Sequence, residues 1–193
     1  MKLTKDYWEN RYQTNEIGWD VGEITTPLKE YINQINSKDL KILIPGAGNS
    51  YEFEYLINQG FSNVTVLDFA KTPIENIKKK FPNINPKQII HSDFFEHEAS
   101  YDLILEQTFF CALDPELRKN YAKKMSHLLN PNGKLFGLLF QFPLTEVGPP
   151  FGGSKEAYID LFSPYFNILK LETSYNSIKP RQGNELFFIF EKK

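Results

Sequence analysis

The chain has 193 residues, with 22 Lys and Arg against 24 Asp and Glu, and a formal net charge of −2. This length predicts one domain over residues 1–193 with a core of useful size. The small negative charge excludes a general attraction to nucleic acid or anionic membranes, and no apolar run approaches the ~20 residues of a membrane helix.

The cysteine and the histidines argue against a metal site. Cys111 is the only cysteine, which excludes an internal disulfide and a cysteine zinc cluster and fits a reducing cytosol. His91, His97 and His127 show no metal-ligand spacing. The charged, aromatic N-terminus is not that of a signal peptide. We therefore expect a cytoplasmic protein without a metal, and a monomer by default.

Helix and strand patterns alternate along most of the chain. The predicted helices are residues 4–13, 26–35, 50–58, 73–81, a segment that opens at 114–115 and continues to 128, and 154–162. The predicted strands are residues 41–44, 63–67, 87–91, 101–106, 134–140, 166–175 and 185–191. This alternation predicts an α/β fold with a mostly parallel seven-stranded sheet and helices on both faces. The last two strands have no helix between them, which predicts one antiparallel strand at an edge.

Two helix starts have the spacing of a capping box. Asn49 with Glu52 predicts the start of the helix at 50–58, and Thr72 with Glu75 predicts the start of the helix at 73–81. Residues 141–153 are rich in proline and glycine, and this segment is long enough to predict a functional loop.

A glycine loop joins the strand at 41–44 to the helix at 50–58. Its sequence is Pro45-Gly46-Ala47-Gly48, and such a loop at a helix N-terminus is the usual ligand site of an open α/β sheet. Tyr51 stands where a nicotinamide fingerprint has its third glycine. Gly48 is also not followed by the lysine of a phosphate-binding loop, so neither pyrophosphate ligand is favoured.

Acidic and aromatic residues at the next two strand ends indicate a different ligand. Asp68 lies 20 residues after Gly48, and the two oxygens of a carboxylate can accept both hydroxyls of a ribose. Asp93 and Phe94 have the groups to hold an adenine by hydrogen bonding and stacking. Together they indicate an adenosyl compound. The alternatives are a helix-cap or surface role for Asp68 and turn and packing roles for Asp93 and Phe94.

A series of motifs in chain order resembles class I S-adenosylmethionine-dependent methyltransferases. More narrowly, it resembles the thiopurine methyltransferase-like group that includes plant thiol and halide methyltransferases. The matching segments are Tyr7-Trp8-Glu9-Asn10-Arg11-Tyr12, Gly18-Trp19-Asp20-Val21-Gly22, Thr26-Pro27-Leu28, Pro45-Gly46-Ala47-Gly48, Asp68, Ser92-Asp93-Phe94-Phe95, residues 108–118, residues 129–133, Gly148-Pro149-Pro150-Phe151 and Pro180-Arg181-Gln182-Gly183. They span nearly the whole chain.

The resemblance implies a Rossmann-like three-layer sandwich and S-adenosylmethionine as the cofactor. By matching position it implies cofactor contacts from Trp8, Tyr12, Trp19, Gly46, Asp68, Asp93, Phe94 and Glu106. The chain departs from the group at three places. Tyr12 stands where tryptophan is frequent, Glu106-Gln107 where Asp-Tyr is common, and Phe151 where relatives often carry tyrosine.

The resemblance also implies in-line methyl transfer to a small soft nucleophile: a thiol, hydrosulfide, halide or thiopurine-like molecule. Such an acceptor needs little proton removal, and no residue stands out as a general base. We expect residues 1–36 to form a helical lid in which Trp19, with Trp8 and Tyr12, covers the cofactor. The alternative is that these aromatics only fasten the first helix to the domain. The acceptor-side candidates are Phe110, Phe151 and Arg181.

Two other functions stay open. One is a methyltransferase that acts on a nitrogen or oxygen of a larger metabolite. The other is a non-catalytic S-adenosylmethionine-binding protein with a regulatory role. In each case the expected partner is a small molecule, and neither nucleic acid nor a membrane is expected.

Overall fold

The computed structural model describes residues 2–193; Met1, the first residue of the predicted lid, lies outside them. The strands are β1 (Ile42–Pro45), β2 (Val64–Asp68), β3 (Ile89–His91), β4 (Tyr101–Gln107), β5 (Leu129–Phe140), β6 (Phe166–Thr173) and β7 (Glu185–Lys192). The helices are α1 (Lys5–Gln13), α2 (Thr26–Ile32), α3 (Tyr51–Asn58), α4 (Lys71–Lys80), α5 (Arg118–Leu128) and α6 (Lys155–Phe162). No helix within residues 2–193 has both the length and the apolar composition that crossing a bilayer requires.

One sheet contains all these strands, in the order β3-β2-β1-β4-β5-β7-β6. Strands β1 to β5 pair in parallel. Strand β7 runs antiparallel to both β5 and β6, so the antiparallel strand lies beside the outermost strand of that edge. The prediction of a mostly parallel seven-stranded α/β fold is confirmed.

The two faces of the sheet are covered by different helices. Side chains alternate along β1, so Ile42 and Ile44 pack into one hydrophobic cluster and Leu43 into the other. The first cluster contains the apolar residues of α2, α3 and α4, and the second those of α5 and α6. This is the predicted three-layer arrangement.

The order of the strands fixes where a ligand can bind. From β1 the chain passes to β2 and β3 on one side, and then returns to β4 on the other side of β1. The carboxyl ends of strands diverge at such a switch point and leave a crevice. The glycine loop, Asp68 and the residues after β4 all lie at this edge of the sheet.

The predicted capping box of α3 is wrong. Ser50 precedes the helix in a left-handed conformation, with φ 56°, and makes no side-chain cap. The Asn49 side chain instead donates to the carboxylate of Asp20 in the N-terminal segment. A tertiary contact has therefore replaced the local cap.

The predicted capping box of α4 is also wrong, for a similar reason. The helix begins at Lys71, two residues before Pro73. Glu9 of α1 accepts hydrogen bonds from the backbone amides of Lys71, at 2.7 Å, and of Thr72, at 3.0 Å. The hydroxyl of Thr72 donates to the same carboxylate at 2.5 Å. Glu9 thus caps α4 and fastens α1 to that helix.

Candidate active site

A cavity of about 690 Å³ lies in the crevice and is covered by the N-terminal segment. Its volume is in the range of small-molecule and cofactor sites, roughly 300–1,000 Å³. Of the residues predicted from the sequence, those that line it are Trp8, Tyr12, Trp19, Gly46, Asp68, Asp93, Phe94 and Arg181. The structure thus brings together residues from six separate segments of the chain.

Asp68 at the end of β2 is held in one orientation at the floor of the cavity. Its carboxylate accepts hydrogen bonds from the Ala70 amide, at 2.8 Å, and the Gly48 amide, at 3.1 Å. The residue is 5% exposed. Burial raises the pKa of Asp68 to about 6, while the two amides oppose this shift. Near neutral pH the residue is therefore an oriented carboxylate with acceptor capacity left for a hydroxyl-bearing ligand.

The glycine loop can approach the cavity only because Gly46 has no side chain. Its φ is +62°, and a Cβ atom there would lie 2.4 Å from Cδ2 of Phe109. Phe109 also lines the cavity, and its own amide donates to Glu106 at 2.8 Å. Backbone conformation and close packing therefore both require glycine at position 46.

Asp93 and Phe94 follow β3 and form a second part of the wall. The Asp93 carboxylate accepts the amide hydrogen of Phe95 at 2.8 Å, which closes a tight turn. Phe94 is 3% exposed and packs edge-on against Phe109 and Phe95. Each residue has the predicted turn or packing role and also lies on the cavity.

Three aromatic side chains of the N-terminal segment pack together over the cavity. The ring of Trp19 lies 5.4 Å from Trp8 and 5.7 Å from Tyr12, both in edge-to-face geometry. The Arg11 guanidinium lies 5.5 Å from the Trp19 ring. Burial, and then the nearby charge of Asp68, raise the pKa of Tyr12 well above its usual value. Tyr12 therefore reaches from the N-terminal segment toward the floor of the cavity as a neutral phenol.

The N-terminal segment is attached at three points that sequence reasoning did not find. Glu9 caps α4, as described above. The Asp20 carboxylate accepts hydrogen bonds from the side chains of Asn49 and Tyr51. The Trp19 carbonyl accepts one from Arg181 at 2.7 Å. Glu9 and Asp20 do occur in the motifs that carried the family resemblance, and that was the available signal.

Glu106, by contrast, lies beneath the cavity and is not among the residues that line it. One carboxylate oxygen accepts the amides of Phe109 and Phe110, both at 2.8 Å, and the other accepts the Tyr121 hydroxyl. Burial raises its pKa to about 7, against these hydrogen bonds. Its oxygens accept hydrogen bonds from the loop after β4 and from Tyr121 of α5, so the structure supports a role in holding that loop in place.

Two of the acceptor-side candidates are also packed away from the cavity wall. Phe110 is 1% exposed, and its ring packs against Tyr121, Tyr158 and Phe162. The Phe151 amide donates to the carbonyl of Cys111 at 2.8 Å. Neither Phe110 nor Phe151 lines the cavity, whereas Arg181 does.

The wall around Arg181 is largely apolar. Phe140, Pro149, Pro150 and Cys111 lie on the same cavity, and Arg181 is 9% exposed. Burial, and then the charge of Glu106, raise the pKa of the Cys111 thiol, so it stays a neutral thiol. The cavity wall thus includes one buried cation together with apolar surfaces. Within residues 2–193, no three His, Cys, Asp or Glu side chains are grouped so as to hold a metal ion.

Solved structures with the same fold include methyltransferases from several bacteria. The 1,6-didemethyltoxoflavin-N1-methyltransferase of Burkholderia thailandensis, with bound S-adenosylhomocysteine, matches with a TM-score of 0.80 over 99% of this chain and 88% of that one, at 16% identity. A TehB-like SAM-dependent methyltransferase from Corynebacterium glutamicum matches with a TM-score of 0.69 over 98% of both chains, at 17% identity. The fold is that of the S-adenosylmethionine-dependent methyltransferases.

The sequence places the chain more narrowly. The family model for thiopurine S-methyltransferase (TPMT) matches residues 3–192. The probable thiol methyltransferase 2 of Arabidopsis thaliana is 30% identical over 184 residues, which cover 92% of this chain and 81% of that protein. A thiopurine S-methyltransferase of Vibrio parahaemolyticus is 25% identical over 179 residues, covering 83% and 82%. The chain belongs to the thiopurine S-methyltransferase family and is an S-adenosylmethionine-dependent methyltransferase.

Proposed function

We propose that the protein transfers a methyl group from S-adenosylmethionine to a small sulfur nucleophile, with a thiolate, hydrosulfide or thiocyanate as the acceptor. The observation that carries this proposal is the cavity itself. It is lined both by an oriented carboxylate, Asp68, and by a buried cation beside apolar side chains, Arg181. The similarity to a probable thiol methyltransferase and a thiopurine S-methyltransferase supports a sulfur acceptor, as does similarity to thiocyanate methyltransferase 1 of Brassica oleracea.

The residues present fit the cofactor. The fixed carboxylate of Asp68 has acceptor capacity for ribose hydroxyls, and Asp93 and Phe94 offer hydrogen-bonding and apolar surfaces for the base. Gly46 lets the backbone approach closely. In this proposal residues 1–36, described by the structure from Lys2 onward, act as the lid, and the ring cluster of Trp8, Tyr12 and Trp19 covers the cofactor.

When bound, S-adenosylmethionine supplies a methyl group on a positively charged sulfonium. Aromatic rings attract such a cation, by roughly 0.5–2 kcal/mol for each well-placed ring. The N-terminal rings also exclude water, which strengthens the electrostatic interactions within the cavity. The apolar side chains of Phe140, Pro149 and Pro150 would exclude water from around the acceptor, while the positive charge of Arg181 attracts an anionic acceptor.

An anionic sulfur acceptor needs no general base, and this agrees with the groups on the wall. No histidine occurs among the described residues that line the cavity. Cys111 is a buried neutral thiol and therefore a poor nucleophile. The residues of this site bind, orient and dehydrate the reactants, and alignment of this kind accounts for much of the rate of such transfers.

An acceptor panel tests the proposal. The protein is incubated with methyl-labelled S-adenosylmethionine and hydrosulfide, thiocyanate, small thiols, iodide or thiopurines, alongside amine and hydroxyl metabolites. We expect label on the sulfur acceptors. Label on an amine or hydroxyl alone would favour the larger-metabolite alternative. Saturable S-adenosylhomocysteine binding, measured by calorimetry, without transfer to any acceptor would favour a regulatory protein.

We also propose a cytoplasmic monomer that binds neither nucleic acid nor membranes. The support is a lone, buried cysteine and a net charge of −2. Light scattering after size-exclusion chromatography tests the oligomeric state, and a mass of twice 22.5 kDa would refute the monomer.

A further inference from the structure

Arg181 is held from three sides. Its Nη2 donates to the Trp19 carbonyl at 2.7 Å, and its Nη1 lies 3.5 Å from Oε1 of Glu185. The guanidinium also lies 5.7 Å from the ring of Phe140. Because the guanidinium is planar and has five donors, partners on two sides can fix its direction in a way that a lysine ammonium would not allow.

Glu185 is unusual for a residue at the start of a strand. It is 2% exposed, and it lies opposite Phe140 in the ladder between β5 and β7. Its Oε2 is buried and has no hydrogen-bond partner among the described residues. Burial raises the pKa of Glu185, and the nearby Ser177 hydroxyl and then the charge of Arg181 oppose this shift. The carboxylate has a desolvation cost, and within residues 2–193 the charged group that lies within 4 Å of it is Arg181.

We infer that Glu185 is a positioning residue that fixes the Arg181 guanidinium between the Phe140 side of the cavity and the Trp19 carbonyl. The same guanidinium then faces the acceptor and holds the N-terminal segment over the cavity. This inference rests on the proposed function of Arg181 as the acceptor-side cation. Glu185 does not line the main cavity, so it acts through Arg181 and touches neither reactant.

The arrangement links Arg181 to the aromatic rings of the N-terminal segment. Trp19 contributes its ring to the cluster over the cofactor and its carbonyl to Arg181. Loss of the Glu185 carboxylate would let the guanidinium turn away from the carbonyl, and the lid would be held less firmly. The affinity for S-adenosylhomocysteine should therefore depend on Glu185, although this residue is not in the cofactor site.

A double-mutant cycle tests the inference by calorimetry with S-adenosylhomocysteine. We expect Arg181→Met to weaken binding about tenfold, which is the scale of one hydrogen bond from a charged donor. Glu185→Gln alone should weaken it about threefold, since the amide keeps the shape but not the charge. Because Glu185 acts through Arg181, the double variant should match Arg181→Met at about tenfold, and not reach the roughly thirtyfold of independent effects.

Several outcomes would overturn the role of Glu185. The first is additive losses of affinity in the double variant, and the second is an unchanged affinity in Glu185→Gln. The third is an equal loss of affinity in the control variant Glu172→Gln, which changes an exposed glutamate on β6. Quenching of the two tryptophans on ligand binding gives a second readout of the lid and should show the same non-additivity. Unfolding curves identify a variant that has merely lost stability. A wrong acceptor class would leave this cycle unchanged and would appear only in the acceptor panel.

Discussion

Replacing Gly46 by alanine should damage both the fold and cofactor binding. Gly46 has a φ of +62°, and a left-handed conformation costs an alanine about 1–2 kcal/mol. The new Cβ would also lie 2.4 Å from the ring of Phe109, and overpacking of this kind typically costs ~1–3 kcal/mol. We expect the free energy of unfolding to fall by about 2–5 kcal/mol in total.

Gly60→Ala is the matched control, because Gly60 has a φ of +86° and no atom within 4 Å of the added carbon. It should show only the backbone cost, about 1–2 kcal/mol, and leave S-adenosylhomocysteine affinity unchanged. For Gly46→Ala we expect at least about a tenfold loss of affinity, since displacement of Phe109 distorts the cavity wall. Urea unfolding and calorimetry measure both quantities. Equal results for the two variants would refute the close-packing argument.

Three further predictions concern the lid, the floor and the loop beneath the cavity. Trp19→Ala should weaken S-adenosylhomocysteine binding about tenfold or more, because two aromatic contacts are lost, while Trp19→Phe should retain most of the affinity. Normal binding of the alanine variant in calorimetry would contradict this prediction. Wild-type affinity should decrease as pH falls through about 6, where Asp68 becomes protonated, and Asp68→Asn should bind weakly with a flatter pH profile. Glu106 has a folded pKa of about 7 against 4.5 unfolded, so the stability it contributes is full below pH 4.5 and is lost as pH rises through 7. Relative to wild type, Glu106→Gln should therefore gain up to about 3 kcal/mol between pH 4.5 and 8, and parallel curves in urea unfolding would argue against this.

The sheet could be predicted from the sequence because its signals are local. Each buried strand is a short apolar run. In β1 the side chains of Ile42, Leu43 and Ile44 point alternately to the two faces of the sheet, so one run contributes to both hydrophobic clusters. The floor of the site was predictable for the same reason. Gly46 and Asp68 stand at strand ends, and parallel strands bring their carboxyl ends to one edge.

The side chains that lie behind the site were harder to predict. Glu106 lies near the end of β4, and Phe110 lies in the segment after β4 that lines the cavity. Sequence position alone cannot say which side chains there point inward. Glu106 turns toward the amides of the following loop, because a carboxylate at a strand end can accept hydrogen bonds from donors three and four residues ahead.

The lid contacts depend on partners that are distant in the sequence. Glu9 caps a helix that starts 62 residues later, and Trp19 is held by Arg181, which is 162 residues away. Local cap rules favoured Thr72 as the cap of this helix, yet an acceptor from another helix pairs with the Lys71 and Thr72 amides at its start. Each contact has one end in the N-terminal segment and the other beside the cavity. The polar residues that local patterns left unexplained are thus the ones that hold the aromatic rings over the site.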